Sequence, residues 1–245
     1  MQQLQNRIAL ITGASRGIGA AVARMLAERG ADVVINYRSK GPRAEEVAAE
    51  VQTHGRRALL AQADLTVERE VRAMLERVRE QWGRLDLLIL NASGGLERDK
   101  PADYAFQLNA TAQERLTDAA LPLMPPGSRI IFVTSHLAHF YGQKPGYSLY
   151  EPVAASKHAG EQALRARIPE LEARGIRLIV VSGDLIEGTI TPRLIDRADP
   201  GIIAARRAQA GTLPTVADFA RAIVDACSDS QLSSGATIFV GSTEW

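Results

Sequence analysis

The sequence predicts a doubly wound α/β fold with a mainly parallel sheet and helices on both faces. Three observations carry this. Short apolar runs alternate with longer amphipathic stretches from the first residues onward. The runs are continuously apolar, as in Ile8 to Ile11 and Leu87 to Leu90, which is the pattern of strands buried on both faces. The stretches between them have the length of crossover helices, so the strands pair in parallel.

Taken in order, Arg7 to Thr12 reads as a strand, Gly17 to Arg29 as a helix, and Val33 to Tyr37 as the next strand. Ala44 to His54 is helical with Gly55 as its stop, followed by a strand at Ala58 to Gln62 and a helix at Glu68 to Trp82. The alternation continues through Leu87 to Leu90, Tyr104 to Leu121, Ile130 to Val133, Val153 to Leu171 and Leu178 to Val181. Asp184 to Pro214 breaks the rhythm beyond a strand end, where substrate-covering segments lie in open α/β sheets. A helix at Val216 to Ala226 and a strand at Ala236 to Val240 complete the chain. One domain over residues 1–245 is expected, with 184–214 as its cover.

Composition narrows the partners. The 245 residues are 46% hydrophobic, enough for one large core. The 29 basic and 28 acidic side chains nearly cancel, which gives no support for nucleic acid or an anionic membrane as partner. No apolar run approaches the roughly 20 residues of a bilayer-spanning helix. No cleavable leader precedes the first strand, and a cytoplasmic location is expected. Cys227 is the only cysteine, so an internal disulfide is excluded and no metal centre is expected. Its helical surroundings make it a packing residue.

The strongest local signal is Thr12-Gly13-Ala14-Ser15-Arg16-Gly17-Ile18-Gly19, between the first strand and the first helix. The glycines permit a tight turn and close approach of backbone to a pyrophosphate, and the helix start offers free N–H groups to it. This is the signature of a Rossmann-type dinucleotide site. Cofactor choice is read at the second strand's end, where NAD sites usually place an acid for the ribose hydroxyls. Here the strand runs into Arg38-Ser39-Lys40. Arg38 and Arg16, with Ser39, suit a 2′-phosphate, so NADPH is the expected cofactor. Asp32 lies too early in the strand to reach the ribose.

These features resemble the short-chain dehydrogenase/reductase family over almost the whole chain. The glycine loop matches the family's Thr-Gly-x-x-x-Gly-x-Gly, and Asp64-Leu65 matches its adenine-contacting pair. Leu90-Asn91-Ala92-Ser93 is similar to the family's Asn-Asn-Ala-Gly, departing at the first and last positions. The resemblance implies that Asn109 holds a water of a proton relay and that Ser135 binds the substrate oxygen. It further implies that Lys157 binds the nicotinamide ribose, and that the protein is a homodimer or homotetramer built on the helices around Asn109 and Lys157.

The pattern breaks at the chemical centre. The family spaces tyrosine and lysine as Tyr-x-x-x-Lys, and here Val153 stands at the tyrosine position. Valine neither donates a proton nor stabilises an oxyanion. Tyr150 gives Tyr-x6-Lys instead, which resembles the enoyl-acyl-carrier-protein reductases, as does the Ser182-Gly183 segment. On a helix the two side chains could share a face, about 10 Å apart along the axis. An ammonium near the phenol is expected to lower its pKa. Pro152 leaves two placements for Tyr150: just outside the helix, or in its first turn if Ser148 and Glu151 form a capping box. The interval from Ser135 to Lys157 is longer than the family's, and it holds His136, His139, Tyr141 and Tyr147. His136 is the spare acid, its ordinary pKa being near neutral.

The expected activity is NADPH-dependent reduction of a polarised double bond in a small organic or acyl-thioester substrate, with an enoyl thioester favoured. A ketone or quinone carbonyl is the alternative, and an inactive NADPH-binding sensor a third reading.

Overall fold

The computed structural model describes residues 4–97 and 99–244. The chain runs through β1 (Ile8–Ile11), α1 (Gly17–Glu28), β2 (Asp32–Tyr37), α2 (Gly41–Thr53), β3 (Ala58–Gln62), α3 (Glu68–Trp82) and β4 (Leu87–Leu90). It continues with α4 (Tyr104–Phe106), a π-helical turn at Gln107–Thr111, α5 (Ala112–Ala120), β5 (Arg129–Ser135) and α6 (His136–His139). A 3₁₀ turn at Ser148–Tyr150 leads into α7 (Glu151–Ala166), then α8 (Ile168–Ala173) and β6 (Arg177–Gly183). α9 (Ile190–Ala198), α10 (Ile202–Ala210), α11 (Val216–Ala226) and β7 (Thr237–Val240) follow.

The strands form one seven-stranded sheet in the order β3-β2-β1-β4-β5-β6-β7, with every pair parallel. Continuous apolarity has the expected cause. Ala9 and Ile11 pack into the layer that holds α1, α2 and α11, while Ile8 and Leu10 pack into the opposite layer with α3, α5 and α8. Ile131 and Val133 of β5 alternate with Ile130 and Phe132 in the same way. Chain order reverses between β1 and β4, and a crevice opens beyond the carboxyl ends of the strands at such a point.

Three expected elements differ in detail. The stretch from Tyr104 is interrupted by the π-helical turn, and the helix expected through Leu171 is broken between Ala166 and Ile168, with Pro169 in the first turn of α8. The stretch 184–214 contains two helices, α9 and α10. Cys227 is buried, its thiol pushed up to about 12 by desolvation, as suits a packing residue. Among the described residues no helix is long and apolar enough to cross a membrane, and no group of three His, Cys, Asp or Glu side chains could hold a metal ion.

Candidate active site

The crevice at the chain reversal is built by hydrogen bonds between strand ends. Thr12 Oγ1 accepts from the backbone N–H groups of Asn91 and Ala92, both at 2.9 Å, and Asn91 Nδ2 donates to Thr12 O at 2.8 Å. Asn36, buried in β2, ties the glycine loop to β3. Its Oδ1 accepts from Gly13 N at 3.3 Å, and its Nδ2 donates to Ala61 O at 3.1 Å and Ala63 O at 3.2 Å. Sequence reading passed over Asn36, although a polar residue directly after the apolar run Val33-Val34-Ile35 and still within the strand was the signal for it.

Glycine is required at two loop positions for different reasons. Gly17 has φ +56°, and a Cβ there would point into open space. A Cβ on Gly19 would lie 2.6 Å from Gly13 O and 2.7 Å from Asn91 Nδ2. The start of α1 carries no side-chain cap, so its N–H groups are left for an anion.

The resulting cleft has a volume of about 590 Å³, within the range of roughly 300–1,000 Å³ for ligand sites. Gly13, Ser15, Arg16, Gly17, Ile18, Gly19, Arg38, Ser39, Asp64, Leu65, Asn91 and Ala92 all line it. Arg16 is exposed, and no acidic side chain among the described residues pairs with it. Asp32 is occupied elsewhere, paired with Arg56 at 2.8 Å and Arg57 at 2.7 Å. An uncapped helix start, a cationic rim and a glycine cradle together suit a dinucleotide.

A second, smaller pocket of about 150 Å³ adjoins the cleft and shares Ile18, Asn91, Ser93 and Thr189 with it. Ser135, Tyr150 and Lys157 all line this pocket. Ser135 ends β5, and its Oγ lies 3.3 Å from Tyr150 Oη. Tyr150 closes the 3₁₀ turn before α7, with Pro152 in the first turn of that helix. Tyr150 is thus outside the helix, and the Ser148–Glu151 capping box does not form. Val153 packs instead with Ala138, Ala154 and Leu185, and it is not part of the pocket wall.

Two electrostatic expectations are corrected. Burial raises the pKa of Tyr150, with the Ser135 hydrogen bond acting the other way and no contribution from Lys157. The phenol is therefore held protonated rather than acidified. Burial also pushes His136 down to about 4 against an opposing pull from Asp184. It is neutral at physiological pH, bonded through Nδ1 to Ser182 Oγ at 2.8 Å, and is no proton reservoir. Lys157 is lowered by burial to about 8, with Glu161, one helical turn on, opposing the shift.

Asn109 lies behind the pocket in the π-helical turn. Its Nδ2 donates to Gly94 O at 2.8 Å and Ser156 Oγ at 3.0 Å, and its Oδ1 accepts from Gly94 N at 3.2 Å. A Cβ on Gly160 would come within 2.3 Å of Asn109 O, so that glycine lets α7 approach the turn. The side chain therefore fastens the loop after β4 to α7. Gly183 is equally constrained, since a Cβ would lie 2.8 Å from the Phe219 ring.

The far wall of the pocket comes from the stretch 184–214. Arg206 of α10 pairs with Asp184, the residue after β6, through two bonds of 2.7 and 3.1 Å, and its Nη2 also donates to Ser242 O at 2.8 Å. Both members of this pair are buried. The two residues are 22 positions apart in the chain, so the sequence alone does not show that they pair. Tyr147, from the enlarged interval after Ser135, also borders the pocket.

Known proteins resemble the chain in sequence and in fold. A hydroxynaphthalene reductase of Aspergillus fumigatus is 36% identical over 180 residues, which is 70% of this chain and 63% of that protein. A 1-cyclohexenylcarbonyl-CoA reductase of Streptomyces collinus is 32% identical over 189 residues, 75% of this chain and 66% of that protein. The chain thus spans less than two thirds of the length of these curated relatives. The structure of a short chain dehydrogenase from Burkholderia cenocepacia in complex with NADP superposes with a TM-score of 0.82, at 32% identity and 97% coverage of both chains. The family described as short chain dehydrogenase matches residues 7–197. The chain belongs to the short chain dehydrogenase family.

Proposed function

We propose that the protein is an NADPH-dependent reductase in which Tyr150 performs the task that Val153 cannot. The observation that carries this is the Ser135–Tyr150 pair, two hydroxyls 3.3 Å apart in the wall of the small pocket that also contains Lys157. Two donors at one point suit a substrate oxygen that gains negative charge. The protonated state of the buried phenol suits it to give up a proton to that oxygen.

NADPH, when bound, supplies the hydride. Gly13, Ser15, Gly17, Ile18 and Gly19 would hold its pyrophosphate, Arg16, Arg38 and Ser39 its 2′-phosphate, and Asp64 and Leu65 its adenine. Asn91, Ala92 and Lys157 would hold the nicotinamide half. The cofactor named for the Burkholderia cenocepacia structure supports the same choice. The stretch 184–214 would cover the substrate and exclude water, with the Arg206–Asp184 pair fastening it to the sheet. The remaining parts of the reading are one catalytic domain and a homodimer or homotetramer.

An α,β-unsaturated thioester is the favoured substrate, on the Tyr-x6-Lys spacing and the likeness to a reductase named for 1-cyclohexenylcarbonyl-CoA. Ser135 favours a second reading, a ketone, because the spacing alone does not call for a second donor beside Tyr150. Turnover of NADPH with a panel of enoyl thioesters, ketones and quinones tests the class, and product analysis separates C=C from C=O reduction. NADPH is expected to bind more tightly than NADH, and Arg38→Ala to shrink the difference. Equal affinities in the parent protein would remove the cofactor argument.

A further inference from the structure

Arg38 does not hang free from the end of β2. Its Nη1 donates to Oη of Tyr104, the first residue of α4, on the opposite wall of the cofactor cleft. Its Cζ stands 5.9 Å from the centroid of the Tyr104 ring, and Lys100 Nζ stands 5.2 Å from the same ring. Tyr104 is only 8% exposed. One buried phenol thus carries two cations at the rim of the cleft.

We propose that Tyr104 is a specificity-determining positioning residue for a phosphorylated ribose: it pins the Arg38 guanidinium across the cleft so that its remaining N–H groups meet a 2′-phosphate, and it gathers Lys100 to the same place. The proposal rests on the NADPH reading above.

Two features support it. An arginine side chain has much rotamer freedom, and a guanidinium held in place before the ligand arrives loses less of it on binding. Burial pushes the phenol pKa up against the pull of Arg38, so Tyr104 stays a neutral acceptor that leaves the arginine's charge uncancelled. Glu97 and Asp64 also act electrostatically on this phenol.

The test uses fragments of the cofactor, so that it does not depend on turnover. Binding of 2′,5′-ADP and of 5′-AMP is measured by calorimetry on the parent protein, Tyr104→Phe and Lys100→Gln. Phenylalanine keeps the ring and its packing and removes only the oxygen. Tyr104→Phe is expected to weaken 2′,5′-ADP by about fivefold and 5′-AMP by less than about twofold. Lys100→Gln, at a partly exposed position, is expected to weaken 2′,5′-ADP about twofold with 5′-AMP unchanged. Unchanged or tighter 2′,5′-ADP binding in Tyr104→Phe overturns the proposal, as does an equal loss for both fragments, which would make the residue a packing element. If Tyr104→Phe does not fold, unchanged 2′,5′-ADP binding in Lys100→Gln overturns it. A parent protein that binds the two fragments equally defeats the NADPH reading itself, a separate result from a parent preference that survives Tyr104→Phe.

Discussion

Ser135 Oγ and Tyr150 Oη lie 3.3 Å apart although an enlarged loop separates them in the chain. Ser135 is fixed as the last residue of β5, and its Oγ also accepts from Ala138 N at 3.3 Å, capping α6. Tyr150 is fixed by the turn that precedes α7. The serine therefore has two tasks, one in the pocket and one in the backbone.

Ser135→Ala should separate them. Loss of one oxyanion donor is expected to lower kcat about 100-fold. Loss of the cap is expected to cost about 1 kcal/mol of stability. Steady-state kinetics and urea unfolding measure the two effects on the same sample. A kcat within about threefold of the parent value would place the substrate oxygen away from Ser135.

The sheet was legible because each strand is a run of apolar residues between helical stretches, and Glu68–Trp82 and Val216–Ala226 begin and end where the periodicity does. The glycine loop was legible because its residues are local in sequence. The π-helical turn at Gln107–Thr111 was not, since one extra residue in a helical ladder scarcely alters the apolar spacing. Tyr104 as partner of Arg38, and Arg206 as partner of Asp184, were hidden because the fold, not the sequence, brings those pairs together. The phenol's pKa was misjudged for a related reason: the spacing to Lys157 was readable, but the depth of burial that decides the sign was not.

Lys157 gives a pH signature. Its folded pKa of about 8 lies below the ordinary 10.5 because burial disfavours the ammonium. The ammonium is thus lost as pH rises through about 8, and NADPH affinity is expected to fall over that range. Lys157→Met should flatten the profile, measured by fluorescence titration at fixed ionic strength. Stability moves the other way. The unfolded chain holds this proton more tightly, so the lysine's contribution to folding becomes more favourable from about 8 toward 10.5.

His136 has a corresponding effect in acid. Its pKa drops from 6.5 to about 4 on folding, so the unfolded state binds the proton first and stability is lost as pH falls from 6.5 toward 4. The part due to this residue should be about 2 kcal/mol between neutral pH and pH 5. His136→Gln is expected to lose less stability than the parent protein over that interval in urea titrations. An identical loss would show that the imidazole protonates in the folded state.

The central claim is that Tyr150 supplies the proton and the oxyanion contact, and single-turnover hydride transfer in Tyr150→Phe tests it most directly. The position of Val153 outside the pocket wall also predicts that Tyr150→Phe combined with Val153→Tyr restores little activity. Tyr141→Phe should be mild, since that residue is not in the wall of the small pocket. For Tyr150→Phe itself, the chemical rate is expected to fall roughly 10²–10³-fold with NADPH affinity unchanged, the loss typical of an oxyanion donor. A hydride-transfer rate equal to that of the parent protein would contradict the account.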